Sequence, residues 1–385
     1  MSKAIAFFPW VYINEQQEIG PIKFLPYQRN KLPGNLTHTN QNEIDEVFAA
    51  YADLTNKAIN RAIILEFDDW HTGMDIPNEN IDYLFQVKEL IAFSALSKRN
   101  FFQQPNDYCN YDTYTLIIQK FSPDKIKTFS YTTRRRDGNT KHLWSSTNRF
   151  AFYQPEHVVG ITDIKIDSNL LSVLLSLPED KKDRYYESIK EFNAANTDSR
   201  TIPEHVEIVM CKSAFECLLD IDEKMDEFVK TIKVLLKDID GCSCEGPLKA
   251  AWAKRWGNKQ PIYAWANEFC VIRGNSAHGK CRTNSKLVWQ VDRHLLFAAV
   301  FFPLMLKKTL YDNKLFSMNH YDFEKLKLID KYILNDPFGS DSDDNVRSSW
   351  NKIDQEANIN TYSLLISLLE NTIHGSLPKN SEEGN

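Results

Sequence analysis

Arg273 and His278 are the residues whose types and spacing point most directly to chemistry. They stand in YAWANEFCVIRGNSAHGK (263–280), where Ile262, Trp265, Ala266, Phe269 and Cys270 recur at helical spacing and Arg273 continues the same stripe. A guanidinium emerging from an apolar face is costly to bury in a dry core. The end of the stripe is therefore expected to border a polar cleft, a subunit interface or an anionic partner. In a straight helix His278 would point about 140° away from Arg273, at roughly 100° per residue. The spacing predicts instead a helix over 261–273 that breaks at Gly274-Asn275-Ser276. Gly274 would take the left-handed conformation that commonly ends a helix, and the imidazole would fold back beside the guanidinium.

Spacing alone is weak evidence, because Arg200/His205 repeats it in a loop leading into a helix and Arg136/His142 comes within one residue of it in a hairpin. Arg273/His278 differs in its apolar helix, its glycine and the Gly279 that follows the histidine. A helix-capping arginine and a structural histidine are the alternative reading.

The elements that must position this pair come from a chain of 385 residues, 42% apolar and 25% charged, enough for two or three globular domains. Residues 1–165 predict a β-rich α+β domain, with buried strands in IGPIKFLPY (19–27), AIILEFDDW (62–70), TYTLIIQKF (113–121) and KTFSYTTRR (127–135). Asp137-Gly138 between two of these runs is a hairpin signal. IDYLFQVKELIAFSAL (81–96) has helical spacing.

From about 166 to 320 the texture is helical. A charged helix lies within 176–200, Pro203 opens the next, and the stripe Met225 to Ile239 stops at Gly241. A long helix over 287–311 contains Pro303, which predicts a kink. The acidic linker GSDSDDN (339–345) sits within a helical extension over 321–375, and 376–385 reads as a disordered tail. The expected class is α+β, a mixed amino-terminal domain followed by an all-α bundle.

At RGNSAHG (273–279) the sequence resembles the HEPN ribonucleases, and within them the Apea-like group of anti-phage effectors, marked by Arg, four residues, His, Gly near the end of an inner bundle helix. VEIVMCKSAFECLLDI (206–221) looks like that group's Ala-Leu-Glu-x-Leu-Leu helix, with Ala214, Phe215, Glu216, Leu218 and Leu219 in the matching places. The resemblance covers about 176–315. Where the family places Asn, Asp or His directly after the arginine, this chain has Gly274 and then Asn275.

The resemblance implies a HEPN-type bundle and a metal-independent endoribonuclease with no cofactor. Its products would be a 2′,3′-cyclic phosphate and a 5′-hydroxyl. Arg273 and His278 would be catalytic, Asn275 would position one of them by hydrogen bonding, and Lys280 and Arg282 would hold flanking phosphates. It also implies a homodimer or higher even oligomer with a composite site, a role in abortive infection, and a phage trigger or an antitoxin as partner. A catalytically silent module that binds a nucleotide, RNA or a protein is the competing expectation.

Other features narrow the field. A net charge of −6 argues against nonspecific coating of nucleic acid, which rests on many phosphate contacts. Arg134, Arg135 and Arg136, with Lys141, His142 and Arg149 near Tyr131 and Trp144, could still track single-stranded RNA, or form a solvated hairpin. Seven cysteines, an odd number, suggest free thiols in a reducing cytoplasm. A zinc site from Cys242, Cys244, Cys270 and Cys281, and a metal site at Asp68, Asp69 and His71, are weaker readings than loop thiols and a polar turn. The amino terminus is a poor signal peptide, and the apolar stretch 295–306 is short for a membrane span. A soluble, cytoplasmic protein with no metal is the expectation.

Overall fold

The computed structural model describes residues 3–31, 36, 38–99, 101, 108–121, 128–131, 141–144, 152–158, 164–222, 224–239, 241, 244–257, 259–277, 287–335, 338 and 351–375. The chain packs as two compact units, one built from Met1–Ile221 with Ser276–Lys280 and the other from Asp222–Asn275 with Cys281–Asn385. The helical bundle expected over 166–320 spans this division.

In the first unit, β1 (Lys3–Phe8), β2 (Gln17–Ile19), β3 (Ile22–Gln28), β5 (Arg61–Phe67) and β6 (Ile117–Phe121) form an antiparallel sheet in the order β2-β3-β5-β1-β6. The run 19–27, expected as one strand, is divided by a hairpin turn. Ile19 faces Ile22 across Gly20-Pro21, and Gly20 supplies φ +57°, which a side chain would resist. The central strands carry unbroken buried apolar runs, Ala4 to Phe8 in β1 and Ala62 to Leu65 in β5, because both faces are covered. Ile5, Phe7, Leu25, Tyr27 and Ile64 pack with Ile44, Val47 and Phe48 of α1 (Gln41–Phe48), the Phe7 and Phe48 rings meeting edge-on at 4.6 Å. On the other face Phe67 meets Tyr83 of α2 (Asn78–Leu96) at 5.7 Å.

A two-residue β4 (Tyr51–Ala52) precedes β5. The strands expected around the Asp-Gly turn are present: β7 (Thr128–Tyr131) and β8 (Lys141–Trp144) pair antiparallel, with Tyr131 opposite Lys141. Asp137-Gly138 lies outside the described residues. A short β9 (Phe152–Tyr153) pairs with β4. The helices α3 (Ser168–Leu175), α4 (Glu179–Ala194) and α5 (Glu204–Leu219) complete this unit, so its carboxyl end is helical as expected. Phe93 of α2 packs on Phe192 of α4 at 5.5 Å, and Arg184 Nε donates to the Leu218 carbonyl at 3.0 Å to join α4 to α5.

The second unit is helical among its described residues: α6 (Met225–Leu235), α7 (Lys249–Trp256), α8 (Pro261–Ala277), α9 (Val291–Asp312), α10 (His320–Tyr332) and α11 (Asn351–Gly375). The stripe beginning at Met225 ends its helix at Leu235, six residues before Gly241. Pro303 stands inside α9, which continues on both sides of it. Among the described residues α9 is the one helix long and apolar enough to cross a membrane, and most of it is buried within the protein. The coarse class is therefore α+β, an antiparallel sheet with its helices followed by a helical half.

α8 departs from expectation. It continues past Arg273 to Ala277, and Gly274 is not among the residues with positive φ. A glycine permits the left-handed turn but does not require it, and none of the described residues lies within 4 Å of the place where a Cβ on Gly274 would stand. No close approach demanded glycine there, and the helix runs through.

Candidate functional site

α8 begins against a buried carboxylate. Asp330 of α10 accepts the Ile262 backbone N–H at 2.9 Å, serving one of the donors that a helix amino terminus leaves unbonded. Burial pushes the Asp330 carboxyl up to about 6 against the lowering effect of that bond. From there Ile262, Trp265, Ala266 and Phe269 are buried along one stripe, as expected, with Ile272 buried beside it. Cys270 and Arg273 are half-buried, and the Arg273 Nε atom is fully enclosed. The stripe thus ends on a guanidinium at the edge of the packed region.

The helix does not bring Asn275, expected to position Arg273 or His278, to the guanidinium. Asn275 is exposed and lies about 200° around α8 from Arg273, on the opposite side. The reversal needed to return position 278 toward Arg273 does not begin at Gly274, because four more residues, Gly274 to Ala277, remain helical. His278, Lys280 and Arg282 lie outside the described residues, as do Arg134, Arg135 and Arg136.

A polar centre that sequence reasoning missed sits one and a half turns before Arg273. Glu268 is wholly enclosed, yet its two oxygens collect five donors. The backbone N–H groups of Val288 and Trp289 reach Oε1 at 2.9 Å each. His294 Nε2 lies 3.4 Å from the same oxygen. Arg255 Nε at 3.1 Å and Trp256 Nε1 at 3.3 Å serve Oε2. Burial alone would raise this carboxyl, but the His294 bond, the two backbone donors and the nearby charge outweigh it and hold Glu268 below the usual range.

His294 is also fully buried, between the rings of Trp265, Phe269 and Trp289, each centred 6.0 Å away. Burial lowers its pKa against the pull of Glu268. A neutral ring donating through Nε2 leaves Nδ1 as a bare lone pair, which fits its lack of a hydrogen-bond partner among the described residues. Arg255 then carries the balancing charge. Glu268 has no access to solvent, so it is a clamp and not a proton-transfer group. It joins α7, α8 and the lead into α9, and so anchors the far end of the connection that begins at position 278. The signal was available in sequence, as the single acid within the apolar run YAWANEFCVI. Its partners at 255, 256, 288, 289 and 294 could not be read there.

Asp68 and Asp69 are exposed, while His71 Nδ1 pairs at 3.0 Å with the buried Glu66, whose other oxygen accepts the Thr72 N–H at 2.8 Å. Among the described residues no group of three or more His, Cys, Asp or Glu is placed to hold a metal ion. Cys244 and Cys270 are half-buried and form no disulfide, and Cys242 and Cys281 lie outside the described residues. No protein-family profile, curated protein or solved structure matches this chain.

Proposed function

We propose that the chain is a metal-independent endoribonuclease of HEPN type, with Arg273 and His278 at its chemical centre. The observation that carries the reading is the end of α8: a buried apolar stripe terminating in a half-buried guanidinium whose Nε is enclosed, five residues before the basic segment HGKCRTNSK (278–286) that follows the helix in sequence. RNA contains its own nucleophile, the 2′-hydroxyl. An enzyme need only remove that proton, stabilise the crowded phosphorane and protonate the leaving 5′ oxygen. Histidine suits the proton transfers, worth typically about 10² to 10⁴ in rate. A permanently charged, fork-shaped guanidinium suits the phosphate oxygens. One imidazole serves poorly at both sides of phosphorus, so two copies of the pair, one from each of two subunits, make chemical sense. Lys280 and Arg282 would hold flanking phosphates, and a role in anti-phage growth arrest follows from the family resemblance.

The test compares purified parent, Arg273→Ala and His278→Ala on RNA in the presence of EDTA. Loss of at least about 100-fold in rate for His278→Ala, with 2′,3′-cyclic phosphate ends from the parent, is the expected result. Cleavage that needs a divalent metal, or that survives both substitutions, refutes the reading. The second reading, a catalytically silent module that binds RNA, a nucleotide or a protein, is favoured by the continuation of α8 through Gly274 and by the exposure of Asn275 on the far side. Equal growth arrest by parent and His278→Ala supports it.

A further inference from the structure

We infer that the second unit carries a binding track for single-stranded RNA, built from α6, α7 and the first turn of α8 and lying apart from Arg273 and His278. The charge of the chain is divided unevenly. Residues 228–237 and 246–267 hold six lysines, one arginine and no acid, in a chain whose net charge is −6. Lys230 and Lys233 on α6, Lys237 in the turn after it, Lys254 on α7 and Lys259 are all exposed, and among the described residues they make no ion pair. Elsewhere in the same unit the pattern is the reverse. Lys325, Lys327 and Lys331 of α10 are each held by an acid, at 2.7, 2.7 and 2.6 Å. Lysines left without acids can each neutralise a phosphate.

Aromatic rings are set among these cations. Lys233 Nζ lies 5.1 Å from the centre of the Tyr263 ring, and Lys259 Nζ lies 5.1 Å from the centre of the Trp256 ring. The Trp256 platform is fixed from below. Its Nε1 donates to the buried Glu268 at 3.3 Å, and Arg255, bound to the same carboxylate at 3.1 Å, places its guanidinium 5.2 Å from the ring centre. α7 buries none of its residues fully, so these bonds to Glu268 set the plane of the indole.

Rings interleaved with unpaired lysines fit an unpaired strand, which offers phosphates and base faces in alternation, whereas a duplex keeps its base faces inside its own stack. When a strand binds, the ammonium leaves the ring for a phosphate and a base takes the ring face. An anionic lipid surface would call for apolar side chains projecting beyond the lysines. Trp256 and Tyr263 are instead half-buried, drawn in behind the exposed lysines. Tyr263 stands ten residues before Arg273, about 15 Å along the axis of α8, a distance that a few nucleotides of a bound strand cover. The purpose of the track rests on the ribonuclease reading, but its binding does not, and the two are measured apart.

The experiment is fluorescence anisotropy with a labelled single-stranded RNA of about 20 nucleotides, long enough for a site of this kind, in EDTA. The full chain carries His278→Ala so that the probe stays intact. Lys230→Glu/Lys233→Glu/Lys259→Glu changes exposed positions alone, so it should keep the parent's melting temperature. It should weaken binding at least about 10-fold and reduce the slope of log affinity against log salt by about 2. Tyr263→Ala should weaken binding about 5-fold or more and leave that slope unchanged. An RNA duplex of equal length should bind at least about 10-fold more weakly than the single strand. Absence of binding, a triple variant with the parent's affinity and salt slope, equal affinity for the duplex, or capture by phosphatidylserine vesicles in place of RNA overturns the inference. Binding through these lysines by a chain that never cuts RNA leaves the track standing and removes the ribonuclease reading. A triple variant that binds and cuts like the parent does the reverse.

Discussion

Replacing Asp330 with Asn should stabilise the protein at neutral pH and leave it nearly unchanged in acid. Asp330 is 7% exposed, and its carboxyl titrates at about 6 in the folded chain against an ordinary 3.8. Because the folded pKa is the higher one, the contribution of this group is fully present below pH 3.8 and is lost as pH rises through about 6. At 1.36 kcal/mol per unit, the full loss is about 3 kcal/mol. The amino-terminal dipole of α8, at which Asp330 points, favours the charged form by up to about 1 kcal/mol and leaves about 2 kcal/mol. Asn keeps the oxygen that accepts the Ile262 N–H and has no charge to desolvate. Urea unfolding followed by tryptophan fluorescence should therefore find Asp330→Asn more stable than the parent by about 2 kcal/mol at pH 7.5, shrinking below about 1 kcal/mol at pH 4.5. A variant no more stable than the parent at pH 7.5, or equally more stable at both pH values, would refute the argument that burial dominates over the bond and the dipole.

Glu268→Leu removes the acceptor of two backbone N–H groups, a guanidinium and an indole, and should cost at least about 3 kcal/mol in thermal unfolding. Amide exchange at Val288 and Trp289 should accelerate, and slow exchange there would contradict the clamp. Gly73→Ala places a Cβ 2.6 Å from the His38 carbonyl oxygen at φ +94°, so a loss of about 1 to 3 kcal/mol is expected, and a melting temperature equal to the parent's would show that this approach is not tight. Lys307 and Asp322 form a 2.9 Å pair at 2% and 4% exposure. Lys307→Ala should cost about 3 to 5 kcal/mol by stranding the carboxylate, whereas Lys307→Met with Asp322→Leu should be nearly neutral, and a double-variant loss as large as the single one would rule out that account.

The faces of the regular elements were legible because burial imposes its period on the chain. The runs at 62–70 and 81–96 became β5 and α2, and the stripe from Ile262 to Phe269 is buried along α8. Local conformational switches were less legible. Gly20 and Gly274 both permit a positive φ, but only Gly20 takes it, because Ile19 and Ile22 must pair across a two-residue turn, whereas α8 gains further helical bonds by continuing to Ala277. The helix opened by Pro203 and the stripe from Met225 to Ile239, adjacent in sequence, fall on either side of the division between the two compact units, which no periodicity marks.

The sequence by itself determined the apolar faces of its most periodic elements, such as β5, α2 and α8, since apolar spacing is a property of single elements, but it did not show β1, α1 or α7. It also placed Arg273 at the end of a buried stripe. Only the tertiary structure decided what those faces meet. Glu268 reads in sequence as one acid in an apolar helix, and it becomes a clamp because groups 12 residues before it and 20 to 26 residues after it converge on one carboxylate. Periodicity reports that a face is buried. The partner that buries it, and the charge that can be tolerated there, depend on contacts between elements distant in the chain.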